Sequence, residues 1–147
     1  MDALLLGVAV VLGLAVGVQP VINARLGNFA GNAAVAALIS TVTSTTCLTL
    51  YVLITRPGLP SWGTLRTGPW WMWTGGLIGA VYVAVSLNLA QRLGATVLVA
   101  VVLIGQMIAA ILVDHYGLFG LDQQEISPLR ILGVICLIVG VILIRAF

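Results

Sequence analysis

Charged residues cut this chain into long apolar runs. Uncharged stretches lie between Asp2 and Arg25, Arg25 and Arg56, Arg66 and Arg92, and Arg92 and Asp114. A helix of roughly 20 apolar residues crosses about 30 Å of hydrocarbon. The pattern therefore predicts spanning helices over about 3–19, 31–54, 70–90 and 94–113, and a shorter fifth over about 128–146. The fifth is marginal, because Arg130 and Arg145 bracket only Ile131 to Ile144. Those arginines must snorkel, or the helix must sit in a thinned or protein-lined region. The connections are short. Pro20 to Ala30 reads as the first loop, and Arg56-Pro57-Gly58-Leu59-Pro60 breaks the chain after the second span. Gln91-Arg92-Leu93-Gly94 forces a tight hairpin, and His115 to Ser127 is the longest polar segment.

Composition agrees with an all-α membrane protein of five transmembrane helices. Hydrophobic residues make up 61% of the chain and charged residues 7%, and mean hydropathy is +1.21. A soluble domain carries roughly 25% charged residues, so this chain has too few to clothe a surface in water. Its 147 residues give room for a single transmembrane domain, 1–147. Six arginines against four acids are too few and too dispersed for a nucleic-acid surface. Cys47 and Cys136 sit inside apolar runs, with neither disulfide nor metal spacing. The acidic flank at Asp2 and the poor cleavage site at Val16-Gly17-Val18-Gln19-Pro20 point to an uncleaved first helix.

Polar residues inside a bilayer are costly, so each is a functional candidate. The densest cluster is Gln19-Pro20-Val21-Ile22-Asn23-Ala24-Arg25. Proline removes a backbone donor and frees carbonyls. Gln19 and Asn23 are four apart, on one face if the helix continues through the proline. Tyr82, Ser86 and Asn88 follow in the third span, with Gln91 at its end, and Gln106 stands in an otherwise apolar fourth span. The candidate substrate-binding set is Gln19, Asn23, Arg25, Tyr82, Asn88 and Gln106. Asp114 and His115 close the fourth span, where they suit a proton relay or a helix-end role. The hydroxyls of Ser40, Thr41, Thr43, Ser44, Thr45 and Thr46 suit bonds to the preceding turn's carbonyls, although one face remains a candidate pore lining. Trp70, Trp71 and Trp73 suit an aromatic belt, except that Trp71 cannot share a face with both neighbours. Gly13 and Gly17, and Gly75 and Gly79, have the small-xxx-small spacing that lets helices approach closely in lipid.

No acid lies deep in any span, which argues against an antiporter that trades protons for cationic drugs at a buried carboxylate. Nucleophile–base pairings, metal clusters and phosphate loops are absent from the sequence. An enzyme is therefore not expected, nor is a metal or cofactor.

Five crossings put the termini on opposite sides. Arg56, Arg66 and Arg130 then fall on one side, and Arg25, Arg92 and Arg145 on the other. Orientation normally follows an excess of Lys and Arg on the cytoplasmic side, and here there is none. The balance predicts dual topology, with copies inserted both ways and paired as an antiparallel homodimer.

Gly13-x-x-x-Gly17-x-Gln19-Pro20-x-x-Asn23-x-x-Leu26-Gly27 resembles the opening of the small bacterial YdcZ-like family of the drug/metabolite transporter superfamily. Further matches are Trp73-x-Gly75-Gly76-x-x-Gly79-Ala80, Arg92-Leu93-Gly94-Ala95, Gly105-Gln106, Asp114-His115-Tyr116-Gly117, and Arg130 with Gly133. The departure is mild: Gln91 stands where a proline is common. The resemblance implies a five-helix subunit, half of the inverted-repeat bundle of larger relatives, in the bacterial inner membrane. The expected function is that of a small-solute transporter subunit for a neutral or anionic substrate, working as an antiparallel homodimer or with a paired homologue. The rivals are a dual-topology ion channel and a non-transporting partner of another membrane protein.

Overall fold

The computed structural model describes residues 2–146. Among them every regular element is helical, and five helices are long and apolar enough to cross a membrane. In chain order these elements are α1 (Asp2–Ala30), α2 (Ala33–Thr55), a short α3 (Trp62–Thr67), a 3₁₀ turn (Trp70–Trp73), α4 (Thr74–Leu93), α5 (Ala95–Tyr116), a second 3₁₀ turn (Leu118–Gly120) and α6 (Pro128–Ala146). The last four predicted spans agree with α2, α4, α5 and α6 to within a few residues.

The first does not. Pro20 to Ala30, expected as a loop, is the C-terminal third of α1. Proline costs a helix interior one hydrogen bond and a clash with the carbonyl four residues back. Here that cost is outweighed by what the continued helix buries: Asn23 and Ala24 lie inside the fold, and Pro20 and Gly27 with them. A loop at this depth would leave its backbone groups without partners. At 1.5 Å per residue the 29 residues of α1 run about 43 Å, well beyond the ~30 Å of hydrocarbon.

The chain forms two compact units, Met1–Gln91 and Arg92–Phe147. In the first, α1 and α2 form a hairpin that turns at Gly31, in the left-handed region at φ 70°. Asn32 then caps α2, its Oδ1 accepting from the Ala34 and Val35 N–H groups at 2.8 and 3.3 Å. Ala36, Ala37 and Leu87 form the buried core, with Leu26, Ala33, Val83 and Ala84 packed around it. This core sits where the α1–α2 turn meets the C-terminal half of α4. Away from it, the large apolar side chains from Leu4 to Val18 are exposed, as expected of surfaces that meet lipid or another helix. Arg56 ends α2 in the left-handed conformation, its N–H bonded to the Val52 carbonyl at 2.9 Å, just before Pro57.

Seven α2 hydroxyls donate to the carbonyl four residues back, from Thr41 to Ala37 through Thr55 to Tyr51, all at 2.8–3.0 Å. The self-satisfying reading holds for Thr41, Thr43, Ser44, Thr45 and Thr46, and Ser40 makes no such bond. Trp62, Trp70 and Trp73 are exposed, whereas Trp71 is half-buried; the differing face inferred for Trp71 is seen. A Cβ built on Gly13, Gly17, Gly75 or Gly79 meets nothing within 4 Å. The small-residue seams are therefore unfilled within this unit's described residues.

The second unit is the α5–α6 hairpin. Gly117 ends α5 in the left-handed region, its N–H directed at the Asp114 and Val113 carbonyls. Ser127 starts α6, its hydroxyl accepting from the Arg130 N–H at 3.3 Å. Leu98 is the one buried large side chain among this unit's described residues.

Candidate solute site

The first unit holds a polar cleft of about 340 Å³, lined by Gly27, Asn28, Gly31, Asn32, Ala33, Asn88 and Gln91. Its chemistry is unusual for its uniformity: four side-chain carboxamides and no charge. Asn28 comes from the last turns of α1, Asn32 from the cap of α2, and Asn88 and Gln91 from the end of α4. Gln91 ties the two sides together. Its Nε2 donates to the Ala24 carbonyl at 3.3 Å and to Asn28 Oδ1 at 3.0 Å. Asn88 Nδ2 reaches back to the Ala84 carbonyl at 3.4 Å. Gly27 makes room at the wall, with Leu87 and Ala36 packed beside it.

Asn23 lies one helical turn before Gly27 on the same face of α1. It is 6% exposed, and its amide makes no hydrogen bond among the described residues. A polar group in that position is a standing donor and acceptor for whatever comes near.

The sequence candidates divide between the units. Gln19 and Tyr82 are half-buried on α1 and α4, Asn88 lines the cleft, and Arg25 is exposed and outside the lining. Gln106 is on α5 in the second unit, with its side chain exposed. Asn28, Asn32 and Gln91 complete the cleft and lie outside the candidate set. Asn28 falls in the segment that the proline makes look like a loop, and Asn32 at the edge of the second predicted span. The signal for them is the four-residue spacing of Asn23, Gly27 and Gly31, followed at once by Asn32.

Asp114 and His115 end α5 in the second unit. Asp114 pairs with Arg130 of α6 at 3.4 Å. It also accepts, through its backbone carbonyl, from the Gln124 N–H at 2.8 Å. Arg130 donates a further hydrogen bond to Gln124 Oε1. The arginine at the start of the marginal fifth span is thus held by protein groups. His115 packs edge-on against Tyr116, 4.9 Å between ring centroids, and its Nδ1 is buried without a partner among the described residues. Beside the Asp114–Arg130 pair runs an apolar groove lined by Met107, Ala110, Ile111, Gly133, Val134 and Leu137. No group of three or more metal-ligating side chains occurs among the described residues.

Two comparisons with known proteins agree. The sequence profile of a family described as "Putative inner membrane exporter, YdcZ" matches residues 4–143. The chain is also similar to the inner membrane protein YdcZ of Escherichia coli (strain K12), 26% identical over 140 residues that cover 95% of this chain and 93% of the relative. No solved structure matches it.

Proposed function

We propose, given that this chain belongs to the YdcZ family, that it is one subunit of an antiparallel dimer that carries a small uncharged or anionic solute across the bacterial inner membrane. The family's description as an exporter and the five apolar spans support a multi-pass inner-membrane transporter, a non-enzymatic role. The finer reading rests chiefly on one observation: an odd number of spans leaves three arginines on each side. With no excess to orient it, the chain inserts either way round. Two oppositely oriented copies then supply the two-fold axis in the membrane plane on which inverted-repeat transporters are built. The empty glycine seams on α1 and α4 support this, because they offer close backbone approach to a second copy. The carboxamide cleft, with Asn23 beneath it, is the solute site.

Topology tests the reading. Cys47 and Cys136 are both free and exposed, so removing them leaves the packing intact. Single cysteines placed at either end of such a variant are labelled from outside in intact cells. Labelling of each end in about half the copies is the expected result. Labelling of one end only overturns the homodimer.

A further inference from the structure

The hydrogen-bonding balance of the cleft goes further than its polarity, and the inference rests on its being the solute site. A carboxamide offers two N–H donors and an oxygen acceptor. Gln91 spends both donors, on Ala24 and on Asn28 Oδ1, which leaves its Oε1 unpaired among the described residues. Asn28 accepts from Gln91 and keeps its Nδ2. Asn32 spends its Oδ1 on the α2 cap and keeps its Nδ2. Asn88 directs one Nδ2 proton to Ala84 and keeps the other together with its Oδ1. Two whole amino groups, one further N–H and two carbonyl oxygens therefore remain, from three different helices, around one space.

A mixed set of donors and acceptors with no charge is complementary to groups that both give and accept. A hydroxyl does both. An anion would find the unspent oxygens repulsive, and a cation the unspent N–H groups. A volume of about 340 Å³ is at the small end of ligand cavities, which suits a solute of about the size of a monosaccharide. We propose that the cleft formed by Asn28, Asn32, Asn88 and Gln91 binds a neutral polyhydroxylated solute, a sugar or cyclic polyol, through its hydroxyl groups.

Asn88 is the residue to test. Its side chain is exposed, and its one hydrogen bond is a long one within its own helix, so replacing it spares the fold. The full chain is purified into liposomes, and binding and uptake are measured for D-glucose, D-ribose and myo-inositol. D-glucuronate and D-glucosamine serve as charged counterparts of similar shape. The expected result is binding of at least one neutral probe in preference to both charged ones. Asn88→Ala weakens that binding about tenfold, the worth of roughly one hydrogen bond. Asn88→Asp shifts the preference toward D-glucosamine, by placing a carboxylate where the acceptor stood. Preference of the unaltered protein for either charged sugar overturns the inference; carriage of D-glucuronate leaves the transport reading standing, whereas carriage of D-glucosamine overturns its charge preference as well. Failure of all three neutral probes to bind overturns it as well. Binding of a neutral probe without uptake upholds the inference and tells against the transport reading.

Discussion

The two units solve the same problem in opposite ways. Met1–Gln91 holds its helices together at one end, with a small alanine–leucine core beside a cluster of uncharged amides. Arg92–Phe147 is a hairpin with one buried large side chain, fastened at its polar end by an ion pair that spans sixteen residues of sequence. In lipid, burying apolar surface between helices brings little gain, and packing and hydrogen bonds carry association. The first unit spends its polar groups on a cleft and keeps much of their capacity open. The second spends them on closing a loop. The first leaves amide groups open around its cleft, whereas the second pairs Asp114 with Arg130.

Substitutions in both units test that contrast. Leu87 is fully buried at the junction of the first unit. Leu87→Ala is expected to cost ~2–5 kcal/mol, read as the unfolding midpoint in detergent. Leu112→Ala, at a 44% exposed position of α5, is expected to change stability by less than about 0.5 kcal/mol. Equal effects would show that the first unit has no privileged core. Next in size is Asn32→Ala, which removes the α2 cap at a cost of about 1 kcal/mol. Asn32→Asp keeps the capping oxygen and is expected to retain stability; an equal loss in both variants would rule out capping as the role.

Asp114→Asn removes one charge of the Arg130 pair, whose side chains are about one-third exposed (34% and 35%). Screening limits the loss to at most about 1 kcal/mol. The stability of the unaltered protein should decline slightly with added salt, and that of the variant should not. A loss of several kcal/mol would mean that the tie is a buried strut. The smallest effect belongs to Gly27→Ala. The new methyl group meets Leu87, Ala33 and Ala36 at 3.6–3.7 Å, ordinary contact distances, so stability is expected to stay within about 0.5 kcal/mol. The cleft narrows all the same, and solute binding by titration should weaken. A variant that binds as well as the unaltered protein would place the solute elsewhere.

Hydropathy makes the five spans readable, because a bilayer demands a long apolar stretch and charges end it. Proline at position 20 hides the rest of α1. Local propensity treats it as a stop, and only the burial of Asn23, Ala24 and Gly27 outweighs that tendency. The cleft is half legible for the same reason. Asn88 stands out as an amide inside a span, whereas Asn28 looks like a loop residue and Asn32 like the polar edge of the second span until the helix around Asn28 and the cap at Asn32 are seen. Asp114 and Arg130 are each conspicuous alone. Their pairing depends on how the loop after Tyr116 folds back through Gln124, which no spacing rule encodes.

The threonine- and serine-rich stretch of α2 has a mechanical consequence. Because seven of its hydroxyl protons are turned inward onto the helix's own carbonyls, those groups hold no neighbour in place. Such a helix presents a slip plane, able to rotate or shift along an apolar surface without exchanging a hydrogen bond from one partner to another. In a protein that must rearrange around its cargo, such a face lets α2 shift beyond its Ala36–Ala37 core without exchanging those bonds.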